Sequence, residues 1–420
     1  MEKLIIKGGN PLVGEVTIPG AKNAALPILA GVLLSEDQCL IEDVPDLSDV
    51  TMMLKILESL GVKVEYNKAQ KNIALDVTGA NNYVVPDKLM RSMRSSIFLM
   101  GPLLGRFNNV KVSYPGGCNI GNRAIDLHLK GLSALGAKIV ERHGYITATC
   151  DGLKGAEIYL DYPSVGATEN IMMAACKAQG VTVIKNAARE PEIVDLEIFL
   201  NKMGAKVSGA GTAEIKIIGV DKLSHCQHKI ISDRIVAGTV MMAAAMTGGD
   251  VTVNNVIPEH IDLTIVKLKE MGAIVTQCDN KIRVQGSKAL KAVDHIRTAP
   301  YPGFPTDMQA IMMIGLSMAE GTSIIIENVF DGRFKHVDEF RRMGASIKTD
   351  NRTAVIRGVK QLTGAYVEAT DLRAGAALVI GGLAAENTTT IEGVFNIDRG
   401  YERIEDLFTQ IGGNIRRIDD

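Results

Sequence analysis

Pro115-Gly-Gly-Cys118-Asn-Ile-Gly-Asn-Arg123 places one thiol among three glycines, with a guanidinium five positions further on. Glycine lets the backbone take positive φ and approach a ligand closely. A nearby cation favours the thiolate, drawing a cysteine below its free pKa of about 8.5 and making the sulfur reactive. A glycine turn around a small buried cysteine is the plainer reading of the same residues, and the surroundings must decide between the two. Lys22-Asn23, Arg91 and Arg94 stand at the starts of apolar stretches that read as helices. A helix begins with unsatisfied N–H groups and a positive dipole end, so a cation there asks for an anion. Lys22, Arg123 and Arg399 come from three separate stretches and together suit one polyanionic ligand, such as a phosphorylated carboxylic acid. Asp307, Asp233 and Asp371-Leu-Arg373 stand at further helix starts. Asp233 and Asp371 serve equally well as plain caps or as site carboxylates.

Six copies of one unit carry these residues. Leu60-Gly-Val-Lys-Val, Leu135-Gly-Ala-Lys-Ile, Met203-Gly-Ala-Lys-Val, Met271-Gly-Ala-Ile-Val, Met343-Gly-Ala-Ser-Ile and Ile411-Gly-Gly-Asn-Ile recur at spacings of 75, 68, 68, 72 and 68, and such periods come first in any reading. Each follows an amphipathic helical pattern. In the first copy Val50, Met53, Leu54, Leu57 and Leu60 share one face, and the glycine suits the left-handed residue that ends a helix. Upstream of each lies a stretch apolar almost all round: 24–34, 95–104, 167–178, 235–246, 308–319 and 374–385. That composition predicts a helix enclosed on every side, and each is too short to span a bilayer. The fold expected is α/β: two inside-out, barrel-like domains, each of three units with buried helices surrounded by sheets. The sixth copy ends early, and the strand–Gly–Leu-x-Gly–strand pattern of residues 4–18 supplies its missing tail. The domains expected are therefore 21–230, carrying the cysteine loop, and 1–20 with 231–420, hinged where the chain crosses between them.

Composition narrows the function. A chain of 420 residues exceeds one ordinary core. Its formal charge of −2, without a long basic run, disfavours nucleic acid. Six cysteines without a Cys-x-x-Cys pair argue against zinc and a disulfide framework, and suit a reducing cytoplasm. The N-terminus lacks the apolar core of a signal peptide. No Walker A loop and no dinucleotide-binding glycine fingerprint is present. No metal or cofactor is expected, no membrane partner either, and the oligomeric state stays open.

Pro19-Gly-Ala-Lys-Asn-Ala-Ala, the cysteine loop, Ser164-Val-Gly-Ala-Thr, Asn186-Ala-Ala-Arg-Glu-Pro-Glu-Ile-Val-Asp, Phe304-Pro-Thr-Asp and Ile397-Asp-Arg-Gly-Tyr-Glu-Arg together resemble the enolpyruvyl transferases over essentially the whole chain. The resemblance implies transfer of enolpyruvate from phosphoenolpyruvate to the 3′-hydroxyl of UDP-N-acetylglucosamine, with release of phosphate, as the committed step of peptidoglycan synthesis. It implies that Lys22, Arg123 and Arg399 hold the phosphate and that Lys22 and Asn23 make the first contact with phosphoenolpyruvate. Arg94, Arg123, Ala124, Ile125, Asp126, Leu127, Tyr162, Pro163, Ser164, Val165, Asp307 and Val329 match positions that line the UDP-sugar, and Arg373 joins the substrate-binding set. Asp307 would take up the hydroxyl proton. Cys118 would serve as acid toward the methylene carbon, and in the family it also bonds covalently to phosphoenolpyruvate and is alkylated by fosfomycin. Two positions depart from the pattern: Phe98 stands where some members carry tryptophan, and Tyr162 where some carry lysine. The relative acting on shikimate 3-phosphate lacks the Pro-Gly-Gly-Cys loop, and a non-catalytic sensor would have no use for Lys22, Cys118, Asp307 and Arg399 together.

Overall fold

The computed structural model describes residues 2–116, 125–287 and 289–419. They divide into two compact units, one of residues 20–116 and 125–231, the other of 2–19 and 232–419.

In the second unit three helices, Arg234–Met246, Gln309–Leu316 and Leu372–Ala384, are buried along their whole length. Their glycines set how closely they pack. A Cβ on Gly315 would stand 2.4 Å from Met242 Sδ, and one on Gly381 would stand 3.0 Å from Ile314 Cγ1. Around them lie three four-stranded sheets, each with three antiparallel strands and one parallel edge strand. Strand Glu2–Lys7 sits between Thr388–Glu392 and Asn414–Asp419, just as Thr353–Arg357 sits between Thr322–Ile326 and Ser346–Asp350. The first strand of the chain therefore completes the last repeat. Val13–Thr17 is the parallel strand beside Asp250–Asn254.

The first unit repeats the plan around Lys22–Gly31, Met100–Phe107 and Val165–Ala175. Its middle sheet has three strands, and the single parallel bridge Val84–Lys111 stands where the others have an edge strand. The outer helix Ser48–Ser59 buries Val50, Met53, Leu54 and Leu57, the face read from its spacing.

The fold is the one the repeats predict. All six turn glycines, 61, 136, 204, 272, 344 and 412, have φ between +90° and +103°, the region that side chains with a Cβ avoid. One buried helix differs from expectation. Residues 94–99 form a 3₁₀ turn, and the α-helix begins at Met100. Pro102 has no N–H to give the carbonyl of Phe98 and its ring crowds that carbonyl, which disfavours a regular helix back through that turn.

Candidate active site

Several of the candidate residues, Lys22, Val165 and Arg373 among them, sit at the starts of buried helices. Lys22 is the first residue of Lys22–Gly31 and is almost fully buried. Its Nζ lies 2.6 Å from Oδ2 of Asp49, in the first turn of Ser48–Ser59. The anion that a lysine at a helix start demands is thus supplied in part by the protein, from a position the motifs had not singled out. Asn23 follows, half-buried. Arg91 takes the plain reading: it lies in the last turn of Asp87–Ser92, on the exposed surface, with its Nε 2.9 Å from Asp87.

Arg94 opens the 3₁₀ turn beside a buried histidine, His128. Asn170 orients that ring. Its Oδ1 accepts the Gly101 N–H at 2.6 Å and its Nδ2 donates to Ile97 O at 3.0 Å, so Nδ2 also donates to His128 Nδ1, at 3.0 Å. The ring proton then resides on Nε2. Burial first, and the Arg94 charge second, hold His128 down to about 4, so it is neutral at pH 7. Gly166 lies beside it: a Cβ there would stand 3.0 Å from the Phe98 ring and 3.1 Å from the His128 ring. Ser164 caps Val165–Ala175 by accepting from Ala167 N, with Tyr162 and Pro163 on the preceding turn. Ile125, Asp126 and Leu127 form the start of Asp126–Ala134.

Gly116, the first glycine of the cysteine loop, is needed for close approach, since a Cβ would fall 1.8 Å from the Arg91 carbonyl oxygen. Cys118, Arg123 and Ala124 lie outside the described residues.

The other unit holds Asp307, Val329, Arg373 and Arg399. Asp307 lies in the 3₁₀ turn Thr306–Met308 that leads into Gln309–Leu316. Its Oδ1 accepts from Arg333 Nη2 at 2.9 Å, and its Oδ2 from Arg373 Nη2 at 2.9 Å and Nε at 3.2 Å. Burial pushes the carboxyl up, but the Arg373 and Arg333 guanidiniums outweigh it and hold it well below the usual range. Behind this pair stands Glu327, buried, which accepts from the hydroxyls of Thr298 and Thr306 and from the N–H groups of Val329 and Phe330, at 2.8 to 3.1 Å. Thr306 in turn accepts from Arg333 Nη1 at 2.8 Å. One carboxylate thus sets the Val329 backbone and, through Thr306 and Arg333, the orientation of Asp307.

Asp371 and Asp233 are both helix caps, accepting from Arg373 N and Ala374 N and from Ile235 N and Val236 N respectively. Arg373 lies over the Tyr401 ring, and the Tyr401 hydroxyl shares a 2.8 Å hydrogen bond with Thr239. Around Arg399 each neighbour is anchored. Asp398 binds Arg417 twice, at 2.7 and 2.8 Å. Gly400 meets Leu372 where a Cβ would not fit, and Tyr401 is buried.

A cavity of about 720 Å³ in the same unit lies elsewhere, at the ends of the buried helices beside Thr247, Met318 and Ala384. None of the candidate residues named above lines it. Among the described residues no cluster of three potential metal ligands occurs, and no helix is long and apolar enough to cross a membrane.

Residues 6–408 match the family model of EPSP synthase (3-phosphoshikimate 1-carboxyvinyltransferase). The chain belongs to this family of enolpyruvyl transferases. Within the family it is 55% identical, over 100% of its length and 99% of the relative's, to UDP-N-acetylglucosamine 1-carboxyvinyltransferase 1 of Carboxydothermus hydrogenoformans. It is 52% identical, over the full length of both, to the UDP-N-acetylglucosamine 1-carboxyvinyltransferase of Halothermothrix orenii. The solved enolpyruvyl transferase NikO from Streptomyces tendae has the same fold, with a TM-score of 0.88 at 22% identity over 99% of this chain and 98% of that one. The EPSP synthase of Acinetobacter baumannii also has it, with a TM-score of 0.76 at 20% identity over the whole of both chains.

The motifs missed Asp49, His128, Glu327 and Arg333. Arg333 had a signal, being the one arginine in the loop from Glu327 to His336. Asp49 and Glu327 had none, because an acid at a helix start or a strand end looks like any cap.

Proposed function

We propose that the chain transfers enolpyruvate from phosphoenolpyruvate to the 3′-hydroxyl of UDP-N-acetylglucosamine, releasing phosphate, in the cytoplasmic phase of peptidoglycan synthesis. The observation that carries this reading is full-length identity of 50–55% to several relatives of that name. The mechanism is addition followed by elimination. The sugar oxygen attacks C2 as C3 takes a proton from Cys118, and loss of phosphate with return of that proton restores the double bond. Lys22, Arg123 and Arg399 stabilise the phosphate as it leaves. Asp307 orients the sugar hydroxyl and receives its proton. Arg94 and the turn Tyr162–Val165 bind the UDP-sugar, with Phe98 and the neutral His128 as an apolar flank.

The test is phosphate release from phosphoenolpyruvate with each of two acceptors. Release is expected with UDP-N-acetylglucosamine and at background level with shikimate 3-phosphate; the reverse preference, or release with neither, overturns the reading. For the cysteine, Cys118→Ala is expected to abolish covalent labelling by fosfomycin and to slow phosphate release at least ~100-fold, the lower end for a positioned acid. Labelling that survives the substitution would remove Cys118 from its role.

A further inference from the structure

Strands Gln38–Glu42 and Cys226–Lys229 run parallel, with Cys39 directly opposite Cys226. Neighbouring strands stand ~4.8 Å apart, inside the ~4.4–6.8 Å between Cα atoms that a disulfide spans. Both side chains are buried, 2% and 6% exposed. We propose that Cys39 and Cys226 form a redox-active dithiol that closes to a disulfide on meeting a peroxide.

The register turns both side chains toward the buried face of the sheet. Ser35, four residues before Cys39, donates its hydroxyl to Ser224 O at 3.0 Å and so ties the segment ahead of one strand to the segment ahead of the other. The neighbouring Cys226 lowers the Cys39 thiol, against burial, while Cys39 and burial push the Cys226 thiol up. Lys202 lies close enough to favour the Cys226 anion. Cys176 supplies the contrast. It is buried with its Sγ on the Met172 carbonyl, and burial pushes its thiol up to about 12.

The step balances without a cofactor. The Cys39 thiolate attacks one peroxide oxygen, the O–O bond breaks, and hydroxide leaves behind a sulfenic acid. The Cys226 sulfur then attacks the Cys39 sulfur, expelling that oxygen as water with the Cys226 proton. Two thiols have lost two electrons and hydrogen peroxide has gained them. Access comes from the sheet edge: Cys226–Lys229 is the outer strand of its sheet, and such a strand opens locally at less cost than a central one. A reducing cytosol keeps the pair open at rest, so closure reports oxidative stress.

Closure would ring almost the whole 20–231 unit. It would also fasten the strand whose continuation reaches Ile231, the acceptor for Ala21 N–H at 2.7 Å, next to Lys22. A loop of that length, closed without strain, raises the thermal midpoint by about 5–10 °C.

The test exposes the native full-length protein to hydrogen peroxide, blocks remaining thiols with N-ethylmaleimide under denaturing conditions, and maps peptides without reduction. A linked peptide pair joining Cys39 to Cys226, two hydrogens lighter than the dithiol, is expected, with a higher melting temperature that dithiothreitol reverses. Cys39→Ala should remove both the link and the reversible shift. Cys39 and Cys226 both recovered as maleimide adducts from oxidised wild-type protein, or either found linked to another cysteine, overturns the proposal whether or not the variant folds.

Discussion

Asp307→Asn is expected to cut phosphate release by about 10²–10⁴-fold, the range for a positioned acid or base. The carboxylate takes two guanidiniums, one on each oxygen. An amide keeps one acceptor but turns its NH₂ toward the other arginine, so the loss falls on charge and geometry more than on volume. Asp307→Ala goes further, leaving Arg333 and Arg373, each 4% exposed, without their carboxylate. A folding cost of ~3 kcal/mol is expected, at the low end for breaking a buried pair because a quarter of the Asp307 side chain stays in water. The pH dependence has a definite sign. The folded pKa lies below the ordinary 3.8, so this contribution is complete above 3.8 and drains away as the pH falls below it. Urea midpoints at pH 7 and pH 3 should therefore converge between wild type and Asp307→Ala. The same depression makes Asp307 a poor base in the free protein. An anionic substrate reaching those arginines shares their charge and raises the carboxyl, so the acid limb of kcat should lie at higher pH than that of kcat/KM. Coincident limbs, or an Asp307→Asn enzyme with wild-type turnover, would dismiss Asp307 as proton acceptor.

What was legible in the sequence and what was not follows from the range of the interactions. The six Gly turns were readable because a helix end requiring positive φ is a local demand, met by one residue type at one position of every repeat. Glu2–Lys7 as part of the last sheet was readable because the repeat supplied a template for the missing strand. Partner choice was not. Arg373 meets Asp307 across 66 positions of chain, and Asp49 meets Lys22 across two elements. Nothing in the local pattern of an acid or an arginine says which opposite charge the fold will bring to it. The break before Met100 was written in Pro102, but an apolar stretch hides it, because proline counts with the small residues until its missing N–H is considered.

Lys22→Ala is expected to weaken phosphoenolpyruvate binding by ~10–100-fold, as for loss of a charge-assisted hydrogen bond, and to leave UDP-sugar affinity within about threefold. The fold should tolerate it locally, since alanine is the better helix former and Lys22 stands against the dipole at its helix start. The cost lies with Asp49, whose side chain is only 6% exposed and loses the Lys22 ammonium at 2.6 Å. That predicts a destabilisation of a few kcal/mol. Adding Asp49→Asn should recover part of it without recovering phosphoenolpyruvate binding. The double variant separates the two roles of the pair. If the lysine serves the fold alone, restoring stability restores affinity as well. If it serves the phosphate, stability and affinity part company, with Asp49 holding Nζ in place until the substrate's anion arrives. Calorimetric titration of each ligand into the three proteins decides it. Equal losses for phosphoenolpyruvate and the UDP-sugar in Lys22→Ala would leave Lys22 a structural cation and require the phosphate to be held elsewhere.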